Sequence, residues 1–222
     1  MKRLFALMFL ALPLLAGCGK GDDGPDADSG ASINEEEGNG GSGSASDGKT
    51  LIVFFSRAGE NYSVGYVEKG NTKVMAEYIK EATGADVFEI VPEVAYPDDY
   101  QSMLTVSQQE TADNARPKFK GSVENLESYG NIFIGSPIWY GNPPKIMETF
   151  YEAYPSLKNK TIIPFGTHAG SGIGSCTTLL KKYFHNAKYL ESLGISGASV
   201  RDAASKTMVE NWVKKIGLAK ET

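Results

Sequence analysis

Cysteine, histidine and tryptophan are scarce in this chain, with two of each in 222 residues. There is no CxxC and no HExxH, and the two histidines, His168 and His185, stand apart, so the usual ligand spacings of a zinc site are missing. Two cysteines, Cys18 and Cys176, cannot build a disulfide framework, and Cys176 near a helix start is read as a packed thiol. A cationic excess is missing too. The net charge is −5, but eight of the 27 acidic residues and three of the 22 basic ones precede residue 49, leaving nineteen of each from Lys49 onward. A neutral domain has no surplus of charge with which to displace counterions from phosphates, which argues against nucleic acid as a partner. A long apolar run is also lacking: Leu4 to Leu15 is too short for a stable transmembrane helix.

That run follows Lys2 and Arg3 and ends in Leu15, Ala16, Gly17 and Cys18. Residues 1–17 therefore read as a secretory signal, and the last four positions resemble the lipobox of bacterial lipoproteins. The resemblance implies lipidation of Cys18, export from the cytoplasm and a lipid anchor on a bacterial membrane in the cell envelope. No twin arginine precedes the apolar run, so the general export route is expected. Residues 18–48 follow as a Gly/Ser-rich acidic stretch with almost nothing to bury, which reads as a tether.

From Lys49 onward the apolar pattern alternates between the strand and helix kinds. Leu51–Phe55, Asn131–Gly135 and Thr161–Phe165 are continuous apolar runs, as strands covered on both faces require; Asp86–Val91 and a weaker Tyr189–Ser196, broken at Ser192 and Gly194, complete five. Helices are expected from Asn71 to Ala82, within Tyr96–Ala115, with Pro143 and Pro144 at the first-turn positions of the next, through Leu179 to Phe184, and over Met208–Ile216, where Ser199 and Asp202 have capping-box spacing. Strands separated by helices pair in parallel, so the fold class is α/β: a doubly wound five-stranded parallel sheet in three α/β/α layers, spanning residues 49–222.

Such sheets hold ligands at the carboxyl ends of their strands. Three of those ends carry unusual loops: Ser56, Arg57, Ala58 and Gly59 after the first strand, with Asn71 and Thr72 opening the helix beyond; Pro137, Ile138, Trp139, Tyr140 and Gly141 after the third; Thr167, His168, Ala169 and Gly170 after the fourth. The first has the hydroxyls and the helix start that suit a phosphate, the second has aromatic faces, and the third has small residues whose amides can approach a ring edge. Three neighbouring motifs are rejected. Gly65–Thr72 mimics a P-loop with Asn71 in place of the lysine; Gly170, Gly172 and Gly174 form a dinucleotide frame that ends in Ser175; Ser171 has Ala169 where a nucleophile elbow needs glycine.

With those loops in view, the chain resembles the flavodoxin-like family, and in particular flavodoxin-like lipoproteins and small bacterial flavoproteins, over about residues 50–217. SRAG with NT is similar to the flavodoxin phosphate loop split by an insertion, SPIWYG to the loop bearing the stacking tryptophan, and FGTHAGSGIG to the third loop. The resemblance implies non-covalent FMN, held at its phosphate by Ser56, Arg57, Ala58, Gly59, Asn71 and Thr72. Its ring would be bordered by Pro137, Ile138, Trp139, Tyr140 and Gly141, and met at the pyrimidine edge by Thr167, His168, Ala169 and Gly170. It implies a membrane-tethered electron carrier or NAD(P)H/quinone-type oxidoreductase with a small-molecule or protein redox partner; the alternative is a flavin-binding or sensing lipoprotein without turnover. Against the family pattern, Glu60–Gly70 interrupts loop one with Tyr62 and Tyr66, as a lid or as a surface hairpin, and loop three has no second stacking aromatic other than His168.

Overall fold

A computed structural model describes residues 48–221. The expectations for the signal segment, Cys18 and nearly all of the tether lie outside the described residues.

The first buried run forms β1 (Lys49–Phe54), and the insertion that follows it is a hairpin of β2 (Gly59–Asn61) and β3 (Gly65–Val67). Helix α1 (Asn71–Thr83) begins beyond the hairpin and ends on Gly84, whose φ of 70° lets its amide reach back to the Lys80 carbonyl. Strand β4 (Asp86–Glu89) leads into a two-residue strand β5 (Val91–Pro92), which pairs antiparallel with β6 (Phe119–Lys120). Between these two lies α2 (Tyr100–Ala112), opened by the Asp99 carboxylate accepting from the Ser102 amide at 2.8 Å. The remainder runs β7 (Tyr129–Pro137), α3 (Lys145–Ala153), β8 (Thr161–His168), α4 (Gly174–Tyr183), β9 (Lys188–Tyr189), β10 (Leu193–Ser196) and α5 (Ala203–Lys215).

All main-sheet pairings are parallel, in the order β10-β8-β7-β1-β4, with β9 and β10 two segments of one edge strand along β8. The strand order reverses at β1 and β7, which sets a crevice at their carboxyl ends. Alternation along each strand sorts the core into two layers. Ile52, Phe54, Phe133, Ile163 and Phe165 pack toward α1 and α5; Leu51, Val53, Ile132, Ile134 and Ile162 pack toward α3 and α4. Each such side chain is essentially excluded from water and contributes about 1.5–3 kcal/mol. The expected α/β/α architecture is therefore present. No helix among the described residues is long and apolar enough to cross a membrane.

Several boundaries differ from the sequence expectation. Strands β7 and β8 run on through Ser136–Pro137 and Gly166–His168, because Ser136 pairs with Gly166 and Pro137 with Thr167 in the ladder. The last strand breaks at residues 190–192, while Gly194 lies inside it, paired with Gly166. Pro144 is the residue before α3, outside its first turn. The capping box does not form: α5 starts at Ala203, and the Ser199 carbonyl instead accepts from the Ser205 hydroxyl at 2.7 Å and closes a turn with the Asp202 amide at 2.9 Å. That local turn takes up the group a capping box would have used.

Candidate functional site

Loop one folds back on the start of α1. The Ser56 hydroxyl accepts from the Lys73 amide at 3.0 Å, satisfying one of the amides the helix itself leaves open. Gly70 makes this approach possible: a Cβ there would lie 2.3 Å from Ser56 Oγ and 2.5 Å from the Arg57 carbonyl. Thr72 is buried, and its hydroxyl meets that of Thr167 at 2.8 Å, joining loop one to the end of β8. Asn71 is 9 % exposed. Its Oδ1 accepts from Arg201 at 2.6 Å, while its Nδ2 has no hydrogen-bond partner among the described residues.

Arg57 is turned to a different task. It is 7 % exposed, and its Nε and Nη2 donate to the Pro97 carbonyl at 3.0 and 2.7 Å, its Nη2 to Asp98 at 2.7 Å and its Nη1 to Glu60 at 2.6 Å. With the Glu60 amide on the Asp98 carbonyl and the Tyr100 amide on the Glu60 carboxylate, these bonds fasten the hairpin to the start of α2. Burial pushes the guanidinium pKa down, opposed by Asp98, Asp99 and Glu60.

Loop two is a tight turn. Trp139 and Asn142 exchange backbone hydrogen bonds at 2.8 and 2.9 Å, and the residues between them, Tyr140 and Gly141, have φ of 47° and 77°. Positive φ at both central positions marks a type I′ turn, which glycine tolerates and tyrosine adopts only under constraint. The Tyr140 hydroxyl accepts from Gln108 on α2 at 2.8 Å, supplying that constraint. The Trp139 ring is held edge-on by Phe55 and Tyr96, with centroids 5.6 and 5.1 Å away. Tyr96 in turn donates its hydroxyl to Glu110 at 3.0 Å, and burial raises the pKa of both partners, so the phenol stays protonated. In loop three the Gly170 amide donates to His168 Nδ1 at 3.0 Å, which puts the proton of the neutral ring on Nε2.

A cavity of about 240 Å³ lies over the carboxyl ends of β7 and β8 and beside the start of α1. Trp139 and Tyr140 line it from loop two, Thr167 and His168 from loop three, and Asn71 from α1. Tyr62 of the hairpin and Tyr100, Met103, Leu104 and Ser107 of α2 complete the lining, with Tyr62 packed against Tyr100 at 6.1 Å between centroids. No Asp, Glu, Lys or Arg among the described residues lines it. An aromatic chamber with a free amide donor at one end suits a neutral planar ring that carries a polar or anionic appendage.

The sequence model of the flavodoxin family matches residues 49–216. The chain belongs to the flavodoxin family. Among solved structures it is similar to a protein described as a flavoprotein from Bacteroides eggerthii: 31 % identity, 77 % of this chain and 98 % of that one covered, TM-score 0.60. A second Bacteroides protein so described, from Bacteroides uniformis, is 28 % identical over 75 % and 98 %, with TM-score 0.59. A flavoprotein of Lactobacillus acidophilus, solved in complex with FMN, shares the fold at 22 % identity over 71 % and 99 %, with TM-score 0.53. No curated protein matches the chain.

In this flavodoxin-family chain, the residues singled out from sequence divide into two groups. Asn71, Pro137, Ile138, Trp139, Tyr140, Gly141, Thr167, His168 and Ala169 come together on the cavity; Gly170 lies beside it, next to the lining residue Ser171. Ser56, Arg57 and Ala58 line a separate groove of about 280 Å³ toward β5, Gly59 begins the hairpin, and Thr72 is sealed beneath Thr167. The Arg57 side chain does not line the cavity, and all three of its nitrogens are committed to backbone carbonyls. The helix expected within Tyr96–Ala115 is present as α2, but its place in the cavity wall was missed. Its signal was Tyr100, Met103, Leu104 and Ser107 at helical spacing behind Asp99. In the sequence Tyr62 stands between a lid and a surface hairpin, and Arg201, which lies 130 positions from Asn71 and has no local signature, was missed.

Proposed function

We propose that this flavodoxin-family protein binds FMN non-covalently in the cavity lined by loops two and three, the start of α1, the hairpin and α2, and passes electrons through it. The observation that carries the reading is one chamber that joins an unpartnered Asn71 amide at the start of α1 to the aromatic wall of Trp139 and Tyr140. The residues present fit the group. The ring would lie among Trp139, Tyr140, Tyr62 and Tyr100, and the phosphate would be held near α1 by Asn71 and the first-turn amides, with the dipole of a 13-residue helix behind them. Bound there, FMN would supply one- and two-electron redox chemistry. The protein's own part is to shield the ring from water, to orient it through the Trp139 turn, and to present the Thr167–Ala169 backbone to its edge.

Among the described residues the lining has no carboxylate, lysine or arginine, so His168 and the tyrosines are the groups left to move protons to or from a reduced flavin. Electron carrier and quinone-type reductase both fit that lining and stand ahead of a flavin-storing protein without turnover. Export and anchoring through Cys18 form the other half of the proposal, supported by the Leu15–Cys18 pattern and the acidic Gly/Ser stretch after it. The test is to load the purified chain with FMN, confirm the flavin spectrum, and follow bleaching by NADH, NADPH or a reduced partner with and without a quinone. A carrier reoxidises readily with one-electron acceptors and shows little steady-state turnover with NAD(P)H and quinone. Mass analysis of the membrane fraction, with Cys18→Ala alongside, tests the anchor.

A further inference from the structure

Positive charge at the start of α1 comes from an unexpected direction. The lysines nearest in sequence are engaged elsewhere, Lys69 with Glu77 and Lys73 with Glu89, both at 2.7 Å, and Arg57 is sealed among carbonyls. Arg201, in the turn between β10 and α5, reaches across, donating from Nη1 to Asn71 Oδ1 and from Nη2 to the Lys69 carbonyl. It is exposed, and no ion pair engages it among the described residues. Arginine only donates, so the Asn71 atom facing it must be the carbonyl oxygen, and the side-chain nitrogen is the one left without a partner. That nitrogen belongs to a side chain nine-tenths buried that lines the cavity, and a Cβ on Gly197 would lie 2.7 Å from it. That nitrogen reaches solvent only through the cavity it lines, so a donor held in place there is ready to meet an acceptor on the ligand.

We infer that Arg201 is the residue that makes the site select a phosphorylated ligand: it locks Asn71 with its N–H₂ toward the cavity and puts an unpaired positive charge beside the first turn of α1. This rests on the reading that the cavity holds FMN. Arg201 is a positioning residue for Asn71 and an electrostatic partner for the dianion. Neither role concerns the flavin ring. The two roles share a signature, since they act on FMN and leave riboflavin, which has the same ring and no phosphate, untouched.

The experiment titrates the full chain and two variants, Arg201→Gln and Asn71→Asp, with FMN and with riboflavin, reading flavin fluorescence at low and moderate salt. The native chain is expected to favour FMN. Arg201→Gln lowers FMN affinity on the order of tenfold and flattens its salt dependence, with riboflavin affinity unchanged. Asn71→Asp, which pairs well with Arg201 yet replaces the donor with an acceptor, acts in the same direction. It carries the test if the first variant fails to fold. An FMN-to-riboflavin preference that survives both substitutions overturns the inference, as does an equal loss of both ligands, which would mark a purely structural role. If the native chain binds neither flavin, the failure belongs to the cofactor reading itself.

Discussion

Replacing Arg57 with methionine keeps much of the buried stem and removes the fork that ties the hairpin to α2. The carbonyls of Glu60, Pro97 and Asp98 lose donors now 2.6 to 3.0 Å away. Each such bond is worth about 1 kcal/mol net, more with a charged donor, and release of a buried charge offsets part of the loss. A destabilisation of about 3 kcal/mol follows, which for a domain of this length lowers Tm by about 6–12 °C. The loss should be local as well as global. Native-state hydrogen exchange should speed up at Tyr66, Val67 and Tyr100 before it does in β7 or β8, because the hairpin opens as a unit. Arg57→Lys should recover only part of the stability, since one ammonium cannot serve carbonyls on two segments. The assay is thermal and urea unfolding of each variant with FMN titration alongside. An unchanged Tm together with a large loss of FMN affinity would refute the staple and restore Arg57 as a phosphate ligand.

Three further outcomes are expected. Gly70→Ala forces loop one off α1 and should cost about 1–3 kcal/mol while weakening FMN binding, read by urea unfolding and flavin titration. Trp139→Ala should reduce FMN affinity on the order of thirtyfold and leave the far-ultraviolet circular dichroism intact, because Phe55 and Tyr96 keep their own packing. Burial pushes the Cys176 thiol from its ordinary 9.0 to about 11, against a weak contact with Ser136 at 3.6 Å. The folded state thus holds its proton where the unfolded state has lost it, and that contribution to stability is full below pH 9 and disappears as pH rises toward 11. Cys176→Ala should flatten the dependence in that window, and the native thiol should resist alkylation at pH 8.

How far the sequence carries can be judged from particular elements. The buried runs of β1, β7 and β8 declare themselves because strands covered on both faces have no alternation to disguise, and three such strands with helices between them leave little choice of architecture. Their last residues were harder: Ser136, Thr167 and His168 are polar, so they read as loop, yet backbone pairing holds them in the sheet where the site is built. The Trp139 turn was legible from its Pro, Gly and aromatic composition. Roles that depend on distant partners were not. Arg57 looks like any loop arginine until Pro97 and Asp98 lie beside it, and the orientation of Asn71 is decided by Arg201, far along the chain. Tyr62 offered two readings, lid or surface hairpin. The fold makes it a wall of the cavity that is still 62 % exposed.

The central claim is that the ends of β7 and β8, the start of α1, the hairpin and α2 form one chamber for a phosphorylated flavin. Its most direct measurement is equilibrium titration of the purified chain with FMN, watching flavin fluorescence and the visible absorption bands. Quenched fluorescence, shifted bands and one flavin per chain are the predicted result. Fluorescence and spectrum that stay those of free FMN at protein concentrations of tens of micromolar would contradict it.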